Sequence, residues 1–135
     1  MKEITVDATL ENLAVVQRFI EEELEIIGAS MKAIMQTSIA VEEIYVNIAH
    51  YAYNPDVGEA TIRCSVDEEP LRVSIQFLDS GKPYNPLEKE DADITLTAEE
   101  REIGGLGILM VKKSMDEVTY EYEAGKNILT IHKNL

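Results

Sequence analysis

The chain has 135 residues, the size of one ordinary domain, and its 45% hydrophobic and 28% charged content allows a packed core and argues against wholesale disorder. Twelve basic against 26 acidic residues give a net charge of -14, which repels a nucleic-acid backbone and an anionic membrane surface and suits a basic protein partner. The single cysteine, Cys64, excludes an intrachain disulfide, and no run is long and apolar enough to span a bilayer, so the expected location is the cytoplasm.

Residues 4–9 alternate apolar and polar, as a short strand does. Residues 10–27 carry Leu13, Val16, Ile20, Leu24 and Ile27 at helical spacing, and Gly28 supplies the stop. The run Glu21, Glu22, Glu23 and Glu25 falls on the wet side of that helix or on a partner-facing one. Residues 31–53 read as a second helix, ended by Asn54 and Pro55. Residues 59–67 and 71–79 read as two strands joined by a tight turn at Glu68, Glu69 and Pro70.

After Asp79 the pattern dissolves. Residues 80–103 are polar, with Pro83, Pro86 and an acidic run over 88–93. A stretch that long is a lid, a binding loop or a linker, not a plain connector. Thr97 and Glu100 have capping-box spacing, which predicts a short helix over 98–101. A glycine turn, Gly104 to Gly107, then opens a helix over 106–115. Two strands close the chain, over 117–123 and 127–133, with a turn at Ala124 and Gly125. The order is that of a single domain over 1–135: an α/β (α+β) two-layer sandwich, with a mixed β-sheet and helices packed on one face.

The second helix is the most informative segment. Most of its surface is apolar, which predicts burial. Yet Lys32, Gln36, Glu43, Asn47 and His50 fall within a sector of roughly 60° at the helical period. Glu43 and Asn47 are one turn apart and point the same way. An acid and an amide in so apolar a helix require something polar to meet them, either a structural network or a ligand.

Asp79-Ser80-Gly81 stands where the strand over 73–78 ends. Such a carboxylate, followed by glycine, can accept a hydrogen bond from a flat heterocycle that the backbone approaches closely. It is also ordinary turn chemistry. Gly104-Gly105-Leu106-Gly107 lets backbone N–H groups at a helix start meet phosphate, or serves as a hinge. It is neither a Walker loop nor a dinucleotide-binding fingerprint.

The order and separation of these parts resemble the N box, G1 box, lid and G2 box of the gyrase and histidine-kinase (GHKL) ATP-binding superfamily. The likeness covers nearly the whole chain. It is strongest to the stand-alone anti-sigma-factor serine/threonine kinases, through His50-Tyr51-Ala52-Tyr53 after the N box, Gly104-Gly105-Leu106-Gly107-Ile108 running on to Val118, and Asn127-Ile128-Leu129-Thr130-Ile131 in the last strand.

The resemblance implies ATP and Mg²⁺ as cofactors, with Asn47 ligating the metal and Glu43 as general base or orienter of the attacking hydroxyl. It implies that Asp79 takes the adenine amine and Gly81 gives the ring room. Gly105, Leu106 and Gly107 would line the phosphates, Thr130 would help hold adenine, and Arg101 in the lid (about 80–103) would touch phosphate. It implies a kinase that phosphorylates a serine of a STAS-type anti-anti-sigma protein, binds a sigma factor as the alternative partner, and forms a homodimer. A non-catalytic ATP-binding module that sequesters a partner, and an ATPase part of a larger assembly, are the competing readings. The acidic lid departs from the family's phosphate grip, and the chain shows no phosphoacceptor-histidine hairpin.

Overall fold

A computed structural model describes residues 1–53, 55–88 and 105–135. Its strands are β1 (Lys2–Asp7), β2 (Glu59–Glu68), β3 (Leu71–Asp79), β4 (Glu117–Glu123) and β5 (Lys126–Asn134). Its helices are α1 (Leu13–Ile26), α2 (Met31–Asn47) and α3 (Gly105–Ser114). The strands form one sheet in the order β1-β2-β3-β5-β4.

Every pairing is antiparallel, where the sequence suggested a mixed sheet. The reason lies in one crossover. The connection from β3 through α3 to β4 sets β3 and β4 pointing the same way. β5 returns between them and pairs with both, so no two parallel strands touch.

Strand alternation divides the sheet into two faces. Ile62, Cys64, Val73, Ile75, Phe77, Leu129 and Ile131 point to one face and are buried with Val16, Ile20 and Leu24 of α1 and Ala40, Val41 and Ile44 of α2. The opposite face carries Thr5, Thr61, Arg63, Ser74, Gln76 and Thr130. This is the half-solvated pattern of an antiparallel sheet with helices on one side. Burying a large aliphatic or aromatic side chain is worth about 1.5–3 kcal/mol, so these positions hold the layers together.

Polar anchors fix the layers' relative placement. Ser30 caps α2 by accepting from the Ala33 N–H at 3.1 Å. Tyr45 is fully buried. Its hydroxyl accepts from the Thr9 N–H at 3.1 Å and donates to the Thr9 carbonyl at 2.7 Å, with the Asp7 carbonyl 3.0 Å away. That ties the C-terminal end of α2 to the chain leaving β1.

The predicted second helix over 31–53 divides. Regular α-helix ends at Asn47, and a wider π-type turn runs over Ile48–Ala52. Such a turn often marks a functional site, because it aims backbone groups that a regular helix would use internally. The turn predicted at Ala124 and Gly125 is present, and both residues have positive φ. Of the predicted lid, residues 80–88 are described, with a single 3₁₀ turn at Pro86–Glu88. The helix predicted over 98–101 lies outside the described residues.

Candidate functional site

A cavity of about 230 Å³ opens between the end of α2, the ends of β3 and β5, and the first turns of α3. A cavity of about 150 Å³ accommodates benzene, so this one has room for a fused heterocycle. Its walls are apolar: Ile44, Ile48, Phe77, Ile108 and Leu129. Asn47, Asp79, Lys82 and Asn127 supply its polar edge. Apolar walls with a few convergent polar groups are the ordinary composition of a small-molecule site.

Asp79 closes one end. It is 7% exposed, and its Oδ1 accepts from the Gly81 N–H and from Nδ2 of Asn127, both at 2.9 Å. The first bond closes an Asx-type turn. Oδ2 has no hydrogen bond from any described residue. The turn therefore uses one oxygen of Asp79 and leaves the other without a hydrogen bond from the described residues.

Gly81 is needed for close approach. A Cβ there would sit on the backbone carbonyl of Ala52, in the π-type turn after α2. That carbonyl accepts from the Lys82 N–H at 3.1 Å. Tyr53 secures the same turn, accepting from the Ser80 N–H at 2.8 Å and donating to the Glu59 carbonyl at 2.6 Å. The widened end of α2 and the Asp79 turn are thus docked on one another by backbone contact.

At the other end stand Glu43 and α3. A Cβ on Gly107 would collide with the Glu43 carboxylate. The acid on α2 therefore lies directly against the first turn of α3, where helix N–H groups are free to meet an anion. Burial, and then the charge of neighbouring Glu42, raise the pKa of Glu43 above the ordinary carboxylate value. A carboxylate shifted in this direction is a better proton acceptor near neutral pH. Asn47, one turn along, lines the cavity. Carboxylate and amide oxygens are hard donors, which suits Mg²⁺, and the described residues hold no cluster of three or more acidic, histidine or cysteine ligands. A metal here would therefore take most of its ligands from phosphate and water.

The structure sets Asn47 and Asp79 in the lining of this cavity. Gly81 lies against the lining residue Ala52, and Glu43 lies against Gly107, each beside a lining residue, Ile44 and Ile108; Gly105 and Leu106 stand in the same first turn of α3. Thr130 is not brought there. It stands opposite Gln76 on one side and Thr119 on the other, on the sheet face turned away from the helices. The period of two in a strand decides this: Leu129 and Ile131 point inward, so Thr130 points outward. Arg101 and Gly104 lie outside the described residues. His50 is exposed and stacks edge-to-face on Tyr51, with ring centroids 5.9 Å apart.

Sequence reasoning passed over Asn127, the β5 residue that does reach the site. Inward Leu129 and Ile131 were the available signal, since two residues before Leu129 is also inward. The apolar Ile128 beside it blurred the alternation.

The model for the histidine kinase-like ATPase domain matches residues 6–133. A serine-protein kinase RsbW of Bacillus cereus (strain ATCC 10987 / NRS 248) is 26% identical over 129 residues, covering 94% of this chain and 81% of the relative. An anti-sigma F factor of Caldanaerobacter subterraneus subsp. tengcongensis is 29% identical over 100 residues, covering 74% of this chain and 68% of the relative. Among solved structures, the RsbU and RsbW domains of a Mycobacterium tuberculosis protein match with a TM-score of 0.67 and 18% identity, over 100% of this chain and 33% of that one. The SiaB–SiaC complex of Pseudomonas aeruginosa matches with a TM-score of 0.57 and 16% identity, over 98% of this chain and 89% of that one. At these identities the two structures speak for the fold.

Proposed function

Because this chain belongs to the histidine kinase-like ATPase domain family, we propose that it is an ATP-dependent serine/threonine protein kinase that acts as an anti-sigma factor and partner switch. Its protein substrate would be a STAS-type anti-anti-sigma protein and its alternative partner a sigma factor. The relatives named serine-protein kinase and anti-sigma F factor support this assignment. One observation carries it: the Glu43 carboxylate is packed on Gly107 at the start of α3, and the neighbouring residues Ile44, Asn47 and Ile108 line the cavity that Asp79 also lines. A pure nucleotide binder has no use for a carboxylate beside the phosphates, where it repels them. A kinase needs one there.

In this reading the base enters the apolar cavity and its exocyclic amine donates to Asp79 Oδ2. Gly81 lets the ring lie close to the backbone. The phosphates run toward Gly105, Leu106 and Gly107, whose N–H groups and helix dipole favour negative charge. Asn47 is the residue that would hold Mg²⁺, which offsets phosphate charge when bound with ATP. The acceptor serine's Oγ attacks the γ-phosphorus, the bond to the β,γ-bridging oxygen breaks, ADP leaves, and Glu43 takes the serine proton. Positioning and charge neutralisation supply most of the rate in such transfers. Arg101 belongs to the proposal as a phosphate contact. Thr130, which alternates with inward Leu129 and Ile131, is given no contact with the base in this reading.

Partner switching requires that ATP and ADP forms differ in partner affinity, not only that nucleotide binds. The acidic surface, at a net charge of -14, favours a basic partner face. A homodimer in the cytoplasm is part of the same reading. The test is transfer of labelled γ-phosphate to a STAS-domain protein. Transfer by the wild type and none by Glu43→Ala, with both binding ATP, supports the kinase. ATP binding with no transfer to any STAS-domain partner supports a non-catalytic sequestering module instead.

A further inference from the structure

Asn127, the second residue of β5, stands opposite Asp79 on β3 and is 6% exposed. Its side chain has two donor hydrogens and two acceptor lone pairs, and all four are used. Nδ2 donates to Asp79 Oδ1 at 2.9 Å and to the Lys82 carbonyl at 2.8 Å. Oδ1 accepts from the Tyr84 N–H at 3.1 Å and from the Tyr120 hydroxyl. The amide can stand only one way round. Flipped, its oxygen would face a carboxylate and a carbonyl, and its NH₂ would face a backbone N–H.

One buried side chain thus joins three pieces of the site: the carboxylate at the end of β3, the chain from Lys82 to Tyr84 that leaves it, and Tyr120 on β4. The consequence falls on Asp79. Held at Oδ1 by both Gly81 and Asn127, its carboxyl plane is fixed, and Oδ2 is the oxygen that no described residue hydrogen-bonds and that a ligand can use. That oxygen accepts only. It suits a base with an amine at the ring edge and repels one with a carbonyl there.

We propose that Asn127 is a specificity-setting positioning residue, which fixes the Asp79 carboxylate so that the site discriminates a 6-amino from a 6-oxo purine. The inference rests on the ATP-binding reading above. Asn127 acts through Asp79 and the 82–84 segment, not by touching the base.

The experiment is titration of ATP and of inosine triphosphate, which differs in carrying a carbonyl in place of the amine. Wild type, Asn127→Ala, Asp79→Asn and the double variant are compared by calorimetry, each first melted without nucleotide to verify folding. The wild-type preference for ATP should narrow about tenfold in Asn127→Ala, the size of one lost hydrogen bond to a charged group. Asn127→Ala should cost nothing further in selectivity once Asp79 is Asn, because its effect passes through that carboxylate. Equal weakening of both nucleotides in Asn127→Ala, or an unchanged ratio, overturns the proposal.

Should Asn127→Ala not fold, Asn127→Asp carries the test. It places two carboxylates together, which cannot both remain ionised at little cost. Its ATP affinity should rise as the pH is lowered, when one shared proton restores a donor toward Asp79. No such rise counts against the proposal. A wild type that binds neither nucleotide would sink the ATP reading itself, whereas a wild type without preference, or a preference that survives Asn127→Ala, sinks only this inference.

Discussion

Replacing Gly81 with alanine separates packing from conformation. Gly81 is not among the residues with positive φ, so alanine can adopt its backbone angles. The obstacle is steric. The new methyl would meet the carbonyl oxygen and carbon of Ala52, which are backbone atoms in a turn that is itself fastened to α2. No side chain can swing aside to make room. Either the turn after β3 or the end of α2 must shift, and the Lys82 N–H bond to Ala52 goes with it. Overpacking of this kind costs about 1–3 kcal/mol, and the lost hydrogen bond adds about 1 kcal/mol. A chain of 135 residues unfolds with an entropy of about 0.3 kcal/mol per kelvin. The melting temperature should therefore fall by about 7–13 °C. ATP binding should weaken more than stability alone requires, since the Asp79 turn moves. Thermal melts with and without Mg-ATP read both quantities. A Gly81→Ala protein that melts within about 2 °C of wild type and keeps its ATP shift would refute the close-approach argument.

Gly107→Ala should behave in the opposite sense. The atoms nearest its methyl are the far end of Glu43, which can rotate away, so the melting temperature holds while phosphoryl transfer falls about 10²-fold or more, the usual contribution of a general base. Glu43→Gln should melt higher than wild type at neutral pH. A carboxylate whose folded pKa is raised binds its proton more tightly folded than unfolded, so wild-type stability drops as pH climbs from 4.5 through the folded value. The advantage of Gln should vanish in melts below that window, and a constant advantage at all pH values would show that the burial argument is wrong. Cys64, 3% exposed and with its thiol pushed up to about 11 mainly by burial, should resist thiol reagents in the native protein at neutral pH. One equivalent should react on unfolding, and rapid native labelling would contradict its placement in the core.

Much of this was legible because the chain's periodicities are clean. β3 ends at Asp79 as expected, since a run of inward Val73, Ile75 and Phe77 stops at a carboxylate and glycine. The acid–amide stripe on α2 was legible because polar residues in an apolar helix stand out by phase. The antiparallel sheet was not, because strand order depends on β5 entering between β3 and β4, which no local pattern encodes. Thr130 was misplaced toward the site by likeness of residue type, where alternation with Leu129 and Ile131 sends it to the other face. The π-type turn after Asn47 was hidden because Ile48 to Ala52 is locally helical in composition, and only docking against Gly81 and Lys82 shows why it widens.

The most direct measurement is a crystal structure of the protein with Mg²⁺ and a non-hydrolysable ATP analogue. The base amine should lie within hydrogen-bond reach of Asp79 Oδ2, with the γ-phosphate between Glu43 and the first turn of α3. A nucleotide bound with its base away from Asp79, or its phosphates away from Gly107, would contradict the account.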